Sequence, residues 1–354
     1  MKTLKIIFYV EYPYYFPHFL PISNVLKNAG HEVNYVLSTK QNNDLSLEIA
    51  QKYQLNYFLG VEHLFSLESD YIFFANIFDR LEECKTKSIF MDHGVGTKSC
   101  DYKTALTLYN LVLVEGDYRF DTLNREFPDY RDKIKKVGFS KLDAVFNFSE
   151  EEKTFYINKY KIDKNKTTIL YAPTFFPSSI EKMSPSFPED FKDCNIIIKA
   201  HYLSLHRKRY KKQQAMFKKW EKYENCSICE ASEYSLVPFL NLCDIMISDE
   251  SSAIFEFTAL NKPVILNRFL KLRWSYHLFP HKLLKRLDAN IHIYRKIGDN
   301  AQSYTEMCLM LRENIKNPHK YQKIRKEFSH DICGILDGKT SERILTLLEE
   351  NNGR

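Results

Sequence analysis

The chain has 354 residues, 44% of them hydrophobic and 14% aromatic, enough for two buried cores at roughly 100 to 200 residues per domain; this excludes a disordered protein. Its net charge of +6, from 51 Lys and Arg against 45 Asp and Glu, suits anionic ligands or an anionic membrane surface, while the absence of a basic stripe interleaved with aromatics speaks against nucleic acid. Only 10 residues are glycine, less than half the roughly 7% of average usage, and neither G-x-G-x-x-G nor G-x-x-x-x-G-K-[ST] occurs, so any phosphate site must use hydroxyls, cations and helix N-termini.

Short β-rich runs alternate with helical patterns. Leu4 to Val10 reads as a buried strand, and Pro17 to Ala29 as a helix with Leu20, Ile22, Val25 and Leu26 inward, stopped by Gly30. Strands are expected at Val33 to Leu37, Tyr71 to Ala75, Ser88 to Met91 and Leu111 to Val114. After a charged segment, Ser149 to Asn165, a second series opens with Thr168 to Ala172, Asn195 to Lys199, Asp244 to Ser248 and Val264 to Leu266. This βαβ rhythm predicts an α/β fold with parallel sheets, as an amino-terminal domain over 1–164, a second over 165–330, and a final helix over 331–354 crossing back to the first. A proline cluster (Pro173, Pro177, Pro185, Pro188) predicts a long loop after the first strand of the second half.

The eight cysteines show no framework spacing, which reads as reduced thiols in a cytoplasmic protein. Cys226 and Cys229 form a C-x-x-C with no second pair, in a run of strand character, so no metal site is assigned. The first apolar run stops at Glu11, too short for a signal peptide, and none reaches the roughly 18 residues that span a bilayer. The basic stretch His206 to Tyr223 reads in two ways: a solvated helix with Met216, Phe217, Trp220 and Tyr223 on the core, or a helix docked on the inner face of an anionic membrane.

In open α/β sheets ligands bind at the carboxyl ends of strands, so the residues just past each strand are the candidates. "DHGVGTKS" places His93 there, with Gly94 allowing close approach and Thr97 and Lys98 offering a hydroxyl and a cation; a base beside an anion site competes with a plain glycine turn. His201 occupies the equivalent place in the second half, as a partner for His93 or as a structural strand end. In "DIMISDESSAIFEF" a strand ends at Ser248 and a helix begins near Ala253, turning Ser251 and Ser252 toward a phosphate and setting Glu256 to accept from a ribose hydroxyl; N-capping by Asp249 or Ser251 explains the same residues. Thr174 in "YAPTFF", just past a strand, and "VGFSKLD", with Gly138 at the bend, are weaker candidates.

Taken in order, "HGVGTK", "VGFSKLD", "LYAPTF", "IKAHY" and "DIMISDESSAIFEF" resemble the H-G-T-P-x-K, G-x-P-R-x-D, L-Y-A-P-T-W, His-Pro and D-x-x-I-T-D-Y-S-S-x-x-F-D segments of the CDP-glycerol glycerophosphotransferase family. The resemblance implies a GT-B architecture, two Rossmann-like domains facing across a cleft, with no cofactor and no required metal. It implies transfer of a polyol phosphate from a CDP-linked donor to a hydroxyl of a glycan or lipid-linked acceptor. His93 would be the general base and His201 would stabilise the transferred phosphate or the leaving CMP. Ser251 and Ser252 would hold the diphosphate, Thr174 and Glu256 would help place the nucleotide, and Gly94, Thr97, Lys98 and Lys141 would meet phosphate or acceptor. Phe176 stands where an arginine is common and Glu250 where the family has tyrosine, which lowers the positive potential. A GT-B glycosyltransferase using a nucleotide sugar, or a non-catalytic GT-B scaffold, are the alternative readings.

Overall fold

The computed structural model describes residues 2–39, 44–95, 104–249, 251–272, 276 and 295–352. They form two compact units, one built from 2–95, 104–147 and 330–352, the other from the described part of 148–329.

In the first unit, β1 (Lys5–Val10), β2 (Glu32–Leu37), β3 (Tyr57–Leu59), β4 (Tyr71–Phe74), β5 (Lys87–Met91), β6 (Leu111–Val114) and β7 (Ile134–Lys136) make a parallel sheet in the order β3-β2-β1-β4-β5-β6-β7. In the second, β8 (Thr168–Ala172), β9 (Asn195–Ile198), β10 (Cys226–Ile228), β11 (Ile245–Ser248), β12 (Val264–Asn267) and β13 (Asp299–Ala301) follow the order β10-β9-β8-β11-β12-β13. Both are Rossmann orders, reversing direction between β1 and β4 and between β8 and β11. The inner strands are apolar runs buried on both faces, as helix-covered parallel sheets require. Those that sequence patterning passes over, β3, β7 and β13, are three-residue edge strands, too short to show a period.

Helix Phe16–Asn28 buries Phe16, Phe19, Ile22 and Leu26, whereas Leu20 and Val25, expected inward, are half-buried. Helices Ser140–Phe146 and Thr340–Asn352 pack against it. Gly30 follows at φ +85°, the left-handed stop the sequence implies. His31 is buried; its Nδ1 accepts from the Leu4 N–H (3.2 Å) and its Nε2 lies 3.5 Å from Glu349 of the last helix.

The units divide between Asn147 and Phe148 rather than near Lys164. Helix Glu150–Lys159 belongs to the second unit: Tyr156 and Tyr160 meet Phe239 at 6.1 and 5.3 Å, and Ser227 donates to the Tyr160 carbonyl (3.1 Å). The chain rejoins the first unit at His330, where buried Asp143 accepts from the N–H groups of Thr340 (3.0 Å) and Ser341 (2.7 Å). Basic helix Lys211–Trp220 turns Phe217 and Trp220 into the core and leaves Lys211, Lys212, Lys218 and Lys219 exposed. No helix among the described residues is long and apolar enough to cross a membrane.

Gly116 is required by packing. A Cβ at Gly116 would lie 2.2 Å from the Asp331 carbonyl oxygen, so the returning chain passes directly over that backbone. Gly116→Ala should therefore destabilise the first unit by about 2–4 kcal/mol in urea unfolding. A midpoint equal to wild type would disprove that contact.

Candidate functional site

In the first unit, β5 delivers Asp92 and His93 to the carboxyl edge of the sheet. His93 Nδ1 lies 2.7 Å from the carbonyl of Ala75, which follows β4, and 3.2 Å from Asp92 Oδ1. A carbonyl oxygen only accepts, so Nδ1 carries the proton and the lone pair of the neutral ring sits on Nε2. That is the tautomer a general base needs, and the side chain is 36% exposed. Tyr14 and Tyr15 flank the imidazole at 5.3 and 5.2 Å between ring centroids.

Buried groups hold this turn. Arg119 Nη1 reaches Glu115 (2.8 Å) and Asp92 (3.4 Å), while Nη2 donates to the Gly94 carbonyl (3.1 Å). His18, 1% exposed, hydrogen-bonds to the His93 backbone; burial first, then the charges of Lys141 and His93, keeps its ring well below its ordinary pKa. Lys141 is nine-tenths buried beside His18 rather than displayed to a phosphate, and half-buried Gly94 offers its carbonyl to Arg119. Thr97 and Lys98 lie outside the described residues.

In the second unit, the sheet's switch point is occupied by Asp249, which follows β11 and has no solvent exposure. Its carboxylate accepts from Thr174 N–H (3.1 Å), Ser178 Oγ (3.1 Å) and Ser179 N–H (3.2 Å), and from the hydroxyls of Thr174 and Ser179. Burial pushes its pKa up to about 6, against the pull of these donors. Thr174, expected to place a nucleotide, thus has both its donors directed at Asp249 and the Pro177 carbonyl. The proline-rich loop after β8 is in part buried and tied to β11, not an open excursion.

Ser251 Oγ accepts from the Ala253 N–H (3.3 Å), while the N-cap of helix Ala253–Thr258 is half-buried Ser252, whose side chain makes no capping bond. Glu256, expected at a ribose hydroxyl, is only 3% exposed, and Glu250 lies outside the described residues. His201 caps helix Tyr202–His206: its Nδ1 accepts from the Leu203 N–H (3.1 Å) and its ring packs on Phe175 at 4.6 Å. Desolvation of the ring, then Lys199 and Arg207, lowers its pKa to about 4. With Nδ1 accepting, the neutral ring carries its proton on Nε2, and His201 is a hydrogen-bond donor at neutral pH.

A pocket of about 490 Å³ opens beside the loop, with Phe176 and Ser178 facing Arg209, Tyr210 and Gln213. Arg209 and Lys271 line it together with Glu181. Cys226 and Cys229 are buried, and desolvation raises both thiols to about 12, far from reactive thiolates. Sequence reasoning passed over Asp92, Arg119, His18 and the tyrosines after β1. Only the tyrosines carried a signal, an aromatic run directly past a strand.

The family described as CDP-Glycerol:Poly(glycerophosphate) glycerophosphotransferase matches residues 19–350. The chain is 24% identical over 257 residues to the teichoic acid glycerol-phosphate primase of Bacillus subtilis (strain 168), covering 70% of this chain and 59% of that protein. It is 24% identical over 251 residues to the teichoic acid ribitol-phosphate primase of Bacillus spizizenii (strain ATCC 23059 / NRRL B-14472 / W23), covering 67% and 58%. The matches thus span about three fifths of these relatives' length. Among solved structures, the wall teichoic acid polymerase TagF superposes with a TM-score of 0.72 at 15% identity, over 98% of this chain and 88% of that one, which gives the chain a GT-B-like α/β fold.

The raised Asp249 pKa has a consequence for stability. Between the unfolded value of 3.8 and the folded value of about 6 the unfolded chain binds fewer protons, so this residue's contribution falls as pH rises through that window, by on the order of 3 kcal/mol. The difference in unfolding free energy between wild type and Asp249→Asn, measured in urea from pH 4 to 7, should show this slope. A pH-independent difference would remove Asp249 as its source.

Proposed function

The chain belongs to the CDP-glycerol:poly(glycerophosphate) glycerophosphotransferase family, and from that premise we propose that it transfers a polyol phosphate, glycerol phosphate or ribitol phosphate, from a CDP-linked donor to a hydroxyl of a glycan or lipid-linked acceptor. The observation that carries this reading is the His93 tautomer, with Nδ1 committed to Ala75 and Asp92 and Nε2 left as a base. In the step, the acceptor oxygen forms a bond to the donor's β-phosphorus as its proton passes to His93 Nε2. The bond from that phosphorus to the bridging oxygen breaks, and CMP leaves. The imidazolium that results is stabilised by the Ala75 carbonyl and Asp92, which both face Nδ1–H.

His201 acts as a neutral donor. Its Nε2–H is directed to a phosphoryl oxygen or the leaving group, where negative charge grows as the bond breaks. Ser251 and Ser252 contact the diphosphate at the start of helix Ala253–Thr258. Thr174 supports the donor loop through Asp249 rather than touching the nucleotide.

Purified protein supplied with CDP-glycerol or CDP-ribitol and an acceptor should release CMP, and His93→Ala and His201→Ala should each slow release by about 100-fold or more while circular dichroism shows the fold retained. Near-wild-type turnover in either variant would remove that residue's role; turnover of nucleotide sugars alone would move the chain to glycosyl transfer.

Access to a lipid-linked acceptor is helped by peripheral contact with an anionic membrane. Since Phe217 and Trp220 are buried, this contact is electrostatic, through Lys211, Lys212, Lys218 and Lys219. Co-sedimentation with phosphatidylglycerol vesicles should therefore weaken with added salt and in a variant with all four changed to glutamate. Equal binding to neutral vesicles would refute it.

A further inference from the structure

We propose that the pocket beside the loop after β8 is a headgroup site for an anionic membrane phospholipid whose phosphodiester carries a free hydroxyl, as in phosphatidylglycerol. This rests on the reading that exposed lysines of helix Lys211–Trp220 meet an anionic membrane, and adds to that contact a site that selects the lipid. The pocket, about 490 Å³, is of a size that holds a small ligand, and Gln213 lines it. Gln213 is 2% exposed and its amide is fixed in orientation: the Phe175 carbonyl only accepts, so Nε2 faces it at 3.1 Å and Oε1 is the other end. Buried Oε1 has no hydrogen-bond partner among the described residues. A buried acceptor left without a donor is unfavourable, and this one belongs to a side chain lining a cavity, so the fitting occupant is a group that donates.

The cations decide the rest of the ligand. Arg209 and Lys271 line the pocket and are exposed; Arg209 lies over the Tyr210 ring at 5.8 Å, and the Lys271 N–H donates to the Ser178 carbonyl (2.7 Å). Two cations against one carboxylate, Glu181, leave the lining positive, which suits a singly charged phosphodiester. A hydroxyl on the same headgroup supplies the donor that Gln213 Oε1 lacks. A lipid is favoured over a soluble ligand by the surroundings. Arg207, Lys208, Arg209, Lys211 and Lys212 are all exposed and run directly into the helix read as membrane-facing, a polybasic stretch of the kind that holds an anionic leaflet. Phe175, whose carbonyl holds Gln213, packs its ring on His201. A headgroup seated here brings the membrane surface, and a lipid-linked acceptor lying in it, close to the donor-side histidine.

Vesicle binding by the full chain tests this, with phosphatidylglycerol and phosphatidylmethanol at equal mole fractions in phosphatidylcholine. Both anionic lipids are singly charged diesters, and only the first has headgroup hydroxyls. Wild type should bind the phosphatidylglycerol vesicles about fivefold more tightly, a factor that one hydrogen bond supplies. Gln213→Leu should remove that preference and leave binding to phosphatidylmethanol vesicles within about twofold, since the lysine contact is untouched. Because Gln213 also holds Phe175, a second measurement uses wild type alone: soluble glycerophosphoglycerol should compete binding to phosphatidylglycerol vesicles down to the phosphatidylmethanol level and leave the latter unchanged. Equal, salt-sensitive binding to both lipids would keep the lysine contact and overturn the headgroup site. Gln213-dependent binding of glycerophosphoglycerol with no preference between vesicles would assign the pocket to a soluble phosphodiester and overturn the lipid. A phosphatidylglycerol preference in a chain that releases no CMP from any CDP-polyol would uphold the headgroup site and remove the transfer reading.

Discussion

The second unit is organised by a single buried carboxylate. Asp249 stands where the strand order reverses, and its acceptor oxygens gather Thr174, Ser178 and Ser179 from the loop after β8. A carboxylate without solvent contact is tolerated only when its lone pairs are met by donors, and here the donors are what give an otherwise irregular segment its shape. Phe175, in that loop, packs on His201; Phe176 and Ser178 line the pocket. The loop that lines the pocket and meets His201 through Phe175 is thus held by one hydrogen-bonded acid.

In the first unit buried polar groups beneath His93 fix the turn that carries it. Ala75 selects the tautomer, Asp92 faces the same nitrogen, and Arg119 clamps Asp92 and the Gly94 carbonyl. The two histidines therefore have complementary protonation: Nδ1–H with a basic Nε2 at His93, and an accepting Nδ1 with a donating Nε2–H at His201. The difference arises from backbone groups, a carbonyl in one case and an N–H in the other.

Much of the fold was legible because its signals are local. Apolar runs such as Ile169 to Tyr171 or Ile245 to Ile247 are continuous because both faces of a parallel sheet are covered, and the edges were lost because three residues give no period. The boundary was misjudged for a related reason. Helix Glu150–Lys159 looks like a charged connection, and only its aromatic contacts with Phe239 assign it to the second unit.

By itself the sequence determined the two α/β series, the strand ends that carry His93, His201, Thr174 and Ser251, and the motif order that marks the family, since each depends on residue type and short spacing. Only the tertiary structure decided which of those residues are open and which are structural. Lys141 and Glu256 are buried, Thr174 is bound to Asp249, and Gly116 is required by a chain segment from the far carboxyl terminus. Burial and hydrogen-bond partners are set by residues remote in sequence, so no local pattern encodes them. Gly116 marks where two backbones touch.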